Sequence, residues 1–171
     1  MFHTKKQSIA IKWHELSMLA SLMNLGHFVV GAFDQAPRNR ASAAQAVAHA
    51  PDEPLYRAYR AVRIGMTADE TRQKLGTAVQ TSAEMDVYEF SANEMAQVYY
   101  DQSNRVKALS VSYVGDADAP PATAVVGQVE AGSDGVNYRL LRYPRAGCWV
   151  SYNRTAGDPP IVTITIQKIG H

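Results

Sequence analysis

Cysteine is almost missing from this chain: Cys148 is the only one among 171 residues. A single thiol excludes an intrachain disulfide and the zinc or iron–sulfur sites that need several sulfur ligands. Its neighbours Gly147, Trp149 and Val150 suit a strand, so Cys148 is expected as a half-buried apolar thiol. Histidine is scarce where it would matter. His3, His14, His27 and His49 precede residue 55, and His171 is the final residue. That placement argues against a histidine-dependent active site or metal centre in a core. Glycine-rich phosphate loops and a G-x-S-x-G elbow are also lacking, and no serine has a histidine placed to act as its base. The acidic residues have plain readings. Asp69-Glu70 fits a helix start, Asp116 and Asp118 flank a proline-rich loop, and Asp134 lies in the turn Gly132-Ser133-Asp134-Gly135. A calcium loop closed by a glutamate is not found. The expectation is a protein that is not an enzyme and carries no cofactor and no metal.

Net charge is another shortage. At +1 it gives no reason to expect nucleic acid as a partner. Residues 1–63 hold eight Lys/Arg against four Asp/Glu, and residues 64–171 hold nine against twelve. Hydrophobic residues make up 46% and charged residues 19%, enough apolar mass for a packed core.

No uninterrupted apolar run reaches the roughly 20 residues of a membrane-spanning helix. Leu16–Phe33 comes nearest, but Asn24 and His27 break it. Lys5, Lys6 and Lys12 precede the run, and Val30-Gly31-Ala32 supplies small residues at its end. That order reads as an export signal over 1–32, cleaved after Ala32. A packed amphipathic helix or an uncleaved membrane anchor are the alternatives. Residues 33–54, rich in Ala and bounded by Pro37, Pro51 and Pro54, read as a linker. The expected location is therefore periplasmic or secreted. No lipid anchor is expected, because no cysteine lies near the cleavage site. Membrane association is expected only if residues 16–33 are retained.

Positive signals begin near residue 55. Leu55, Tyr59 and Val62 have i, i+4, i+7 spacing and predict a short helix, with Arg57, Arg60 and Arg63 as a basic stripe on its solvated face. Thr67-Ala68-Asp69-Glu70 is a capping box, in which Thr67 and Glu70 can bond each other's backbone N–H. Leu75 closes the apolar face, and Gly76 supplies a stop. Three strand-like runs follow: Asp86–Phe90, Met95–Tyr100 and Val106–Val114.

Ile64-Gly65-Met66-Thr67, the helix ending in Leu75-Gly76, then Val98-Tyr99-Tyr100-Asp101 and Arg105-Val106 resemble the SmpA/OmlA (BamE-like) family of small outer-membrane-assembly lipoproteins. The resemblance covers about residues 62–114. It implies a fold like that of the β-lactamase inhibitor proteins, with Ala96, Val98 and Tyr100 turned towards the helix. It also implies work by protein contact in the cell envelope.

Residues 117–168 repeat the order of elements at a spacing of about 52–53 residues. A weak helix runs from Asp118 to near Val126, followed by strands Tyr138–Tyr143, Cys148–Asn153 and Ile161–Gln167. Phe90/Tyr143, Val98/Val150, Tyr100/Tyr152, Val111/Ile164 and Tyr113/Ile166 line up between the two segments. The expected fold over 55–171 is α+β: helices packed on one face of an antiparallel sheet, as two tandem helix-plus-three-strand repeats, 62–114 and 117–168, in a two-layer sandwich. Period-two alternation then puts Gln97, Tyr99, Ser110, Ser112, Trp149, Ser151, Thr163 and Thr165 on the other face. Aromatic residues anchor protein contacts, so Gln97, Tyr99, Trp149 and Ser151 are the candidate partner-contact face, with an envelope protein as the expected partner. An inhibitor-like role and a small-molecule-binding module are the alternatives.

Overall fold

Thr67 starts the best-specified local structure. The computed structural model describes residues 53–130, 132 and 135–170. Within them helix α1 spans Ala68–Leu75. Both capping-box bonds form: the Glu70 N–H donates to Thr67 Oγ1 at 3.2 Å, and the Thr67 N–H donates to Glu70 at 2.8 Å. The Thr67 N–H bond, joined by one from the Thr67 hydroxyl, holds the Glu70 carboxyl below its usual range. The helix stops at Gly76, whose φ of 83° favours a residue without a side chain. The predicted signal, 1–32, and all but the end of the linker, 33–54, lie outside the described residues.

Seven strands follow: β1 Gln80–Thr81, β2 Met85–Ser91, β3 Glu94–Tyr100, β4 Val106–Val114, β5 Asn137–Tyr143, β6 Cys148–Arg154 and β7 Ile161–Lys168. They make one antiparallel sheet in the order β1-β2-β3-β4-β7-β6-β5. Alternation assigns the faces. Tyr88, Ala96, Val98, Tyr100, Leu109, Val111, Tyr113, Val150, Tyr152, Val162, Ile164 and Ile166 share one core cluster on the inner face. Leu75, Val125 and Val126 pack into the same cluster from outside the sheet. Cys148 is more deeply buried than expected, and its apolar surroundings push the thiol pKa up.

The α+β two-layer expectation does not hold. Among the described residues the protein is mainly β, with two helices of 8 and 4 residues. The cover over the inner face is mostly irregular chain, not helix. In the second segment Pro121 precedes α2, Ala122–Val125, but that helix has no side-chain cap bond and ends at Val126 after one turn. Gly127, at a φ of 75°, then redirects the chain. The two-repeat description fails with it. The second segment has no counterpart of the capped eight-residue α1 over its strands, so the helix-plus-three-strand unit is not repeated.

The helix expected from Leu55, Tyr59 and Val62 is likewise a tight reversal. Tyr59 and Val62 exchange backbone bonds of 3.0 and 2.8 Å, with Arg60 and Ala61 between them at positive φ, 45° and 65°. Two positive-φ residues close a hairpin in the hand that suits twisted strands. For L-residues this costs roughly 1–2 kcal/mol each. Contacts offset that strain. Arg60 donates to Tyr59 Oη and to Glu94 at 2.9 and 2.8 Å, and its guanidinium carbon lies 4.0 Å from the Phe90 ring centre. Tyr59 also donates to Glu94 at 2.8 Å. Arg60 is thus a clamp rather than part of a solvated stripe.

Candidate functional site

The face opposite the core is an ordered array because three cross-strand rows run through six strands between the register shifts after Glu89 and after Tyr99. One cross-strand row runs Met85, Tyr99, Ala108, Gln167, Trp149, Arg142. The next runs Val87, Gln97, Ser110, Thr165, Ser151, Leu140, and a third runs Glu89, Met95, Ser112, Thr163, Asn153, Tyr138. The four residues expected as a contact face, Gln97, Tyr99, Trp149 and Ser151, therefore share this face and occupy two adjacent rows. They form two groups, however. Three strand spacings, about 14 Å, separate β3 from β6.

Between the groups lies a hydroxyl ladder. Ser110 and Thr165 hydroxyls are 3.2 Å apart, and those of Ser112 and Thr163 are 3.3 Å apart. Paired hydroxyls on β-branched or small residues satisfy each other across the sheet and present a low, smooth strip.

The two groups differ in accessibility. On the β2–β4 side Val87, Met95, Gln97 and Ala108 are buried. Tyr99 is half-buried, its hydroxyl donates to Gln97 Oε1 at 3.0 Å, and burial raises its pKa. Gln97, expected at the contact face, is 5% exposed and serves Tyr99 instead. On the β5–β6 side the surface is open. Tyr138 is 61% exposed and Leu140 36%, and Arg142 is exposed as well. Arg142 stands directly opposite Trp149, and Leu140 opposite Ser151. Aromatic, aliphatic and guanidinium groups thus meet around Trp149. Tyr138, Leu140 and Arg142 were not among the expected site residues. Their signal was the alternation Y-x-L-x-R along β5, facing the Trp149 strand across a four-residue hairpin loop.

A second cluster lies on the inner face. Asp86 is wholly buried, and its carboxylate accepts from Arg72 Nε at 2.9 Å and Arg72 Nη2 at 3.2 Å. Tyr100 and Tyr88 hydroxyls donate to the same carboxylate at 2.9 and 3.3 Å. Four donor contacts satisfy a charge that would otherwise be costly to bury. Burial and the Asp86 charge push Tyr88 up to about 12, and burial with the Asp86 bond raises Tyr100 further. The arrangement pins α1 to β2 and β3. In the sequence Asp86 reads only as the start of a strand-like run, although an aspartate in a strand, in phase with Tyr88, is a usable signal of a buried acceptor.

Among the described residues no group of three or more His, Cys, Asp or Glu side chains could hold a metal ion. Among them, too, no helix is long and apolar enough to cross a membrane. Structurally the chain belongs to the mainly-β class, with a one-sided core and a partly open second face. Searches of family models, curated proteins and solved structures return no match.

Proposed function

We propose that this protein is a non-catalytic binding module of the cell envelope, periplasmic or secreted, that recognises a protein partner through the open surface around Trp149. The observation that carries the reading is the exposed set Tyr138, Leu140 and Arg142 beside Trp149 on a rigid paired strand. Trp, Tyr and Arg dominate the energetics of protein contacts. A packed sheet holds them in place, so little ordering entropy is lost on binding. The BamE-like resemblance of residues 62–114 and the signal-like N-terminus support the envelope setting and a link to outer-membrane assembly or maintenance. An inhibitor that blocks an enzyme with this surface uses the same contacts.

In envelope extracts, Trp149→Ala and Arg142→Ala are expected to lose a partner that wild-type protein and the distant surface variant Lys74→Ala retain. A partner retained by Trp149→Ala, with loss of a bound small molecule, would favour the small-molecule-binding alternative. For the location, N-terminal sequencing after expression in a diderm bacterium is expected to show a start at Phe33. An intact Met1 in the soluble cytosolic fraction would overturn it.

A further inference from the structure

The two edges of the sheet are treated differently. β1 has two residues, and the strand behind it, β2, shifts register between Glu89 and Ser91. A short, irregular edge offers little template for another chain. The β5 edge is seven residues long, pairs with β6 without a register shift, and contains neither proline nor glycine. Every second residue of such a strand directs its N–H and C=O away from its neighbour. Among the described residues, no backbone bond outside the sheet pairing reaches Asn137–Tyr143.

Charge says what could lie there. Residues 135–157 contain four arginines and no carboxylate. Arg139 donates to the Gln128 carbonyl on the covered side, and Arg154 pairs with Asp116 at 2.7 Å. Arg142 is exposed and has no hydrogen-bond or ion-pair partner among the described residues. A second copy of this chain would bring arginines and no carboxylate from its own β5, and so nothing that answers the Arg142 charge.

We infer that the β5 edge takes up an extended acidic strand from a partner protein, extending the sheet by one antiparallel strand. Main-chain bonds would supply the pairing and alternate side chains the selectivity. On the outer face the incoming strand sets a carboxylate opposite Arg142, then apolar residues opposite Leu140 and Tyr138. In the incoming strand's own direction this is acid-x-apolar-x-apolar. The site shares Tyr138, Leu140 and Arg142 with the proposed contact surface and deepens that reading, but its pairing rests on the β5 backbone and not on Trp149.

The test uses a fluorescent peptide, Thr-Glu-Thr-Val-Thr-Val-Thr, with two controls: the same peptide with Lys for Glu, and one N-methylated at alternate amides. Binding is read by anisotropy and by slowed amide exchange in β5. The acidic peptide is expected to bind about fivefold more tightly than the lysine peptide and to protect β5 amides. The methylated peptide is expected not to bind. Arg142→Glu, an exposed change compatible with folding, is expected to reverse the preference between the acidic and lysine peptides. Equal affinity for those two peptides, binding of the methylated one, or no binding at all would overturn the inference. So would self-association through β5 in place of peptide uptake. Failure here together with partner loss in Trp149→Ala would remove the edge site and leave the face reading standing.

Discussion

The two flanks of the sheet spend their charged and aromatic residues in opposite ways. On the β2–β3 flank they turn inward. Asp86, Arg72, Tyr88 and Tyr100 bond one another beneath a capped eight-residue helix, and Arg60, Tyr59 and Glu94 clamp a strained turn. On the β5–β6 flank the helix is one turn, and Tyr138, Leu140 and Arg142 point outward beside Trp149. The first flank satisfies its polar groups within the fold. The second satisfies Arg139 and Arg154 internally but leaves Tyr138, Leu140 and Arg142 exposed. On the proposed reading, a stabilising flank and a receptive flank share one sheet.

Breaking the contrast at its strongest point gives the largest effect. Asp86→Ala leaves Arg72 and two buried hydroxyls without their acceptor, and it is expected to cost about 3 kcal/mol in denaturant unfolding. Arg142→Ala, at the receptive flank, is expected to change stability by less than about 0.5 kcal/mol. Similar losses for the two variants would dissolve the comparison.

Alkaline unfolding sharpens it. The folded-state pKa of Tyr88 is raised from 10.0 to about 12, and that of Tyr113 rises to the same level, with burial the main cause in both. Between pH 10 and 12 the unfolded chain sheds these protons while the folded one keeps them. Their contribution is therefore complete below pH 10 and is lost as pH rises towards 12. Tyr88→Phe is expected to make the fall in stability over this window shallower, measured by unfolding at stepped pH.

Two smaller effects test the local account of the first flank. Thr67→Ala removes the cap and is expected to cost about 1 kcal/mol. Ala61→Gly relieves a residue at φ 65° and is expected to stabilise by up to about 1 kcal/mol. Destabilisation by Ala61→Gly would mean that the turn holds no strain to release.

Much of the strand pattern was legible. The six long strands fall within a residue or so at each end of the alternating runs, and Val150 and Tyr152 face the core as Val98 and Tyr100 do. The capping box was legible because it is a local bond pair. What failed were inferences of tertiary order from spacing. Leu55, Tyr59 and Val62 mimic a helical face, yet a two-residue turn places Tyr59 and Val62 in the core equally well. Asp118 to Val126 reads as a second helix, yet only Ala122–Val125 is helical, bounded by Pro121 and by Gly127 at positive φ. At the candidate site, alternation put the four residues on one face of the sheet but could not say which part of that face is open. Gln97 and Trp149 have the same phase, and only the surroundings of each decide that Gln97 is buried.

The central claim is that recognition belongs to the β5–β6 flank. It is tested most directly by placing a photo-crosslinking residue at Tyr138 and, separately, at Lys74 on α1, then irradiating cells that express each variant. The account predicts a discrete adduct from position 138 that disappears when Trp149→Ala is added, and none from position 74. An adduct from position 74 alone, or one at position 138 indifferent to Trp149→Ala, would contradict it.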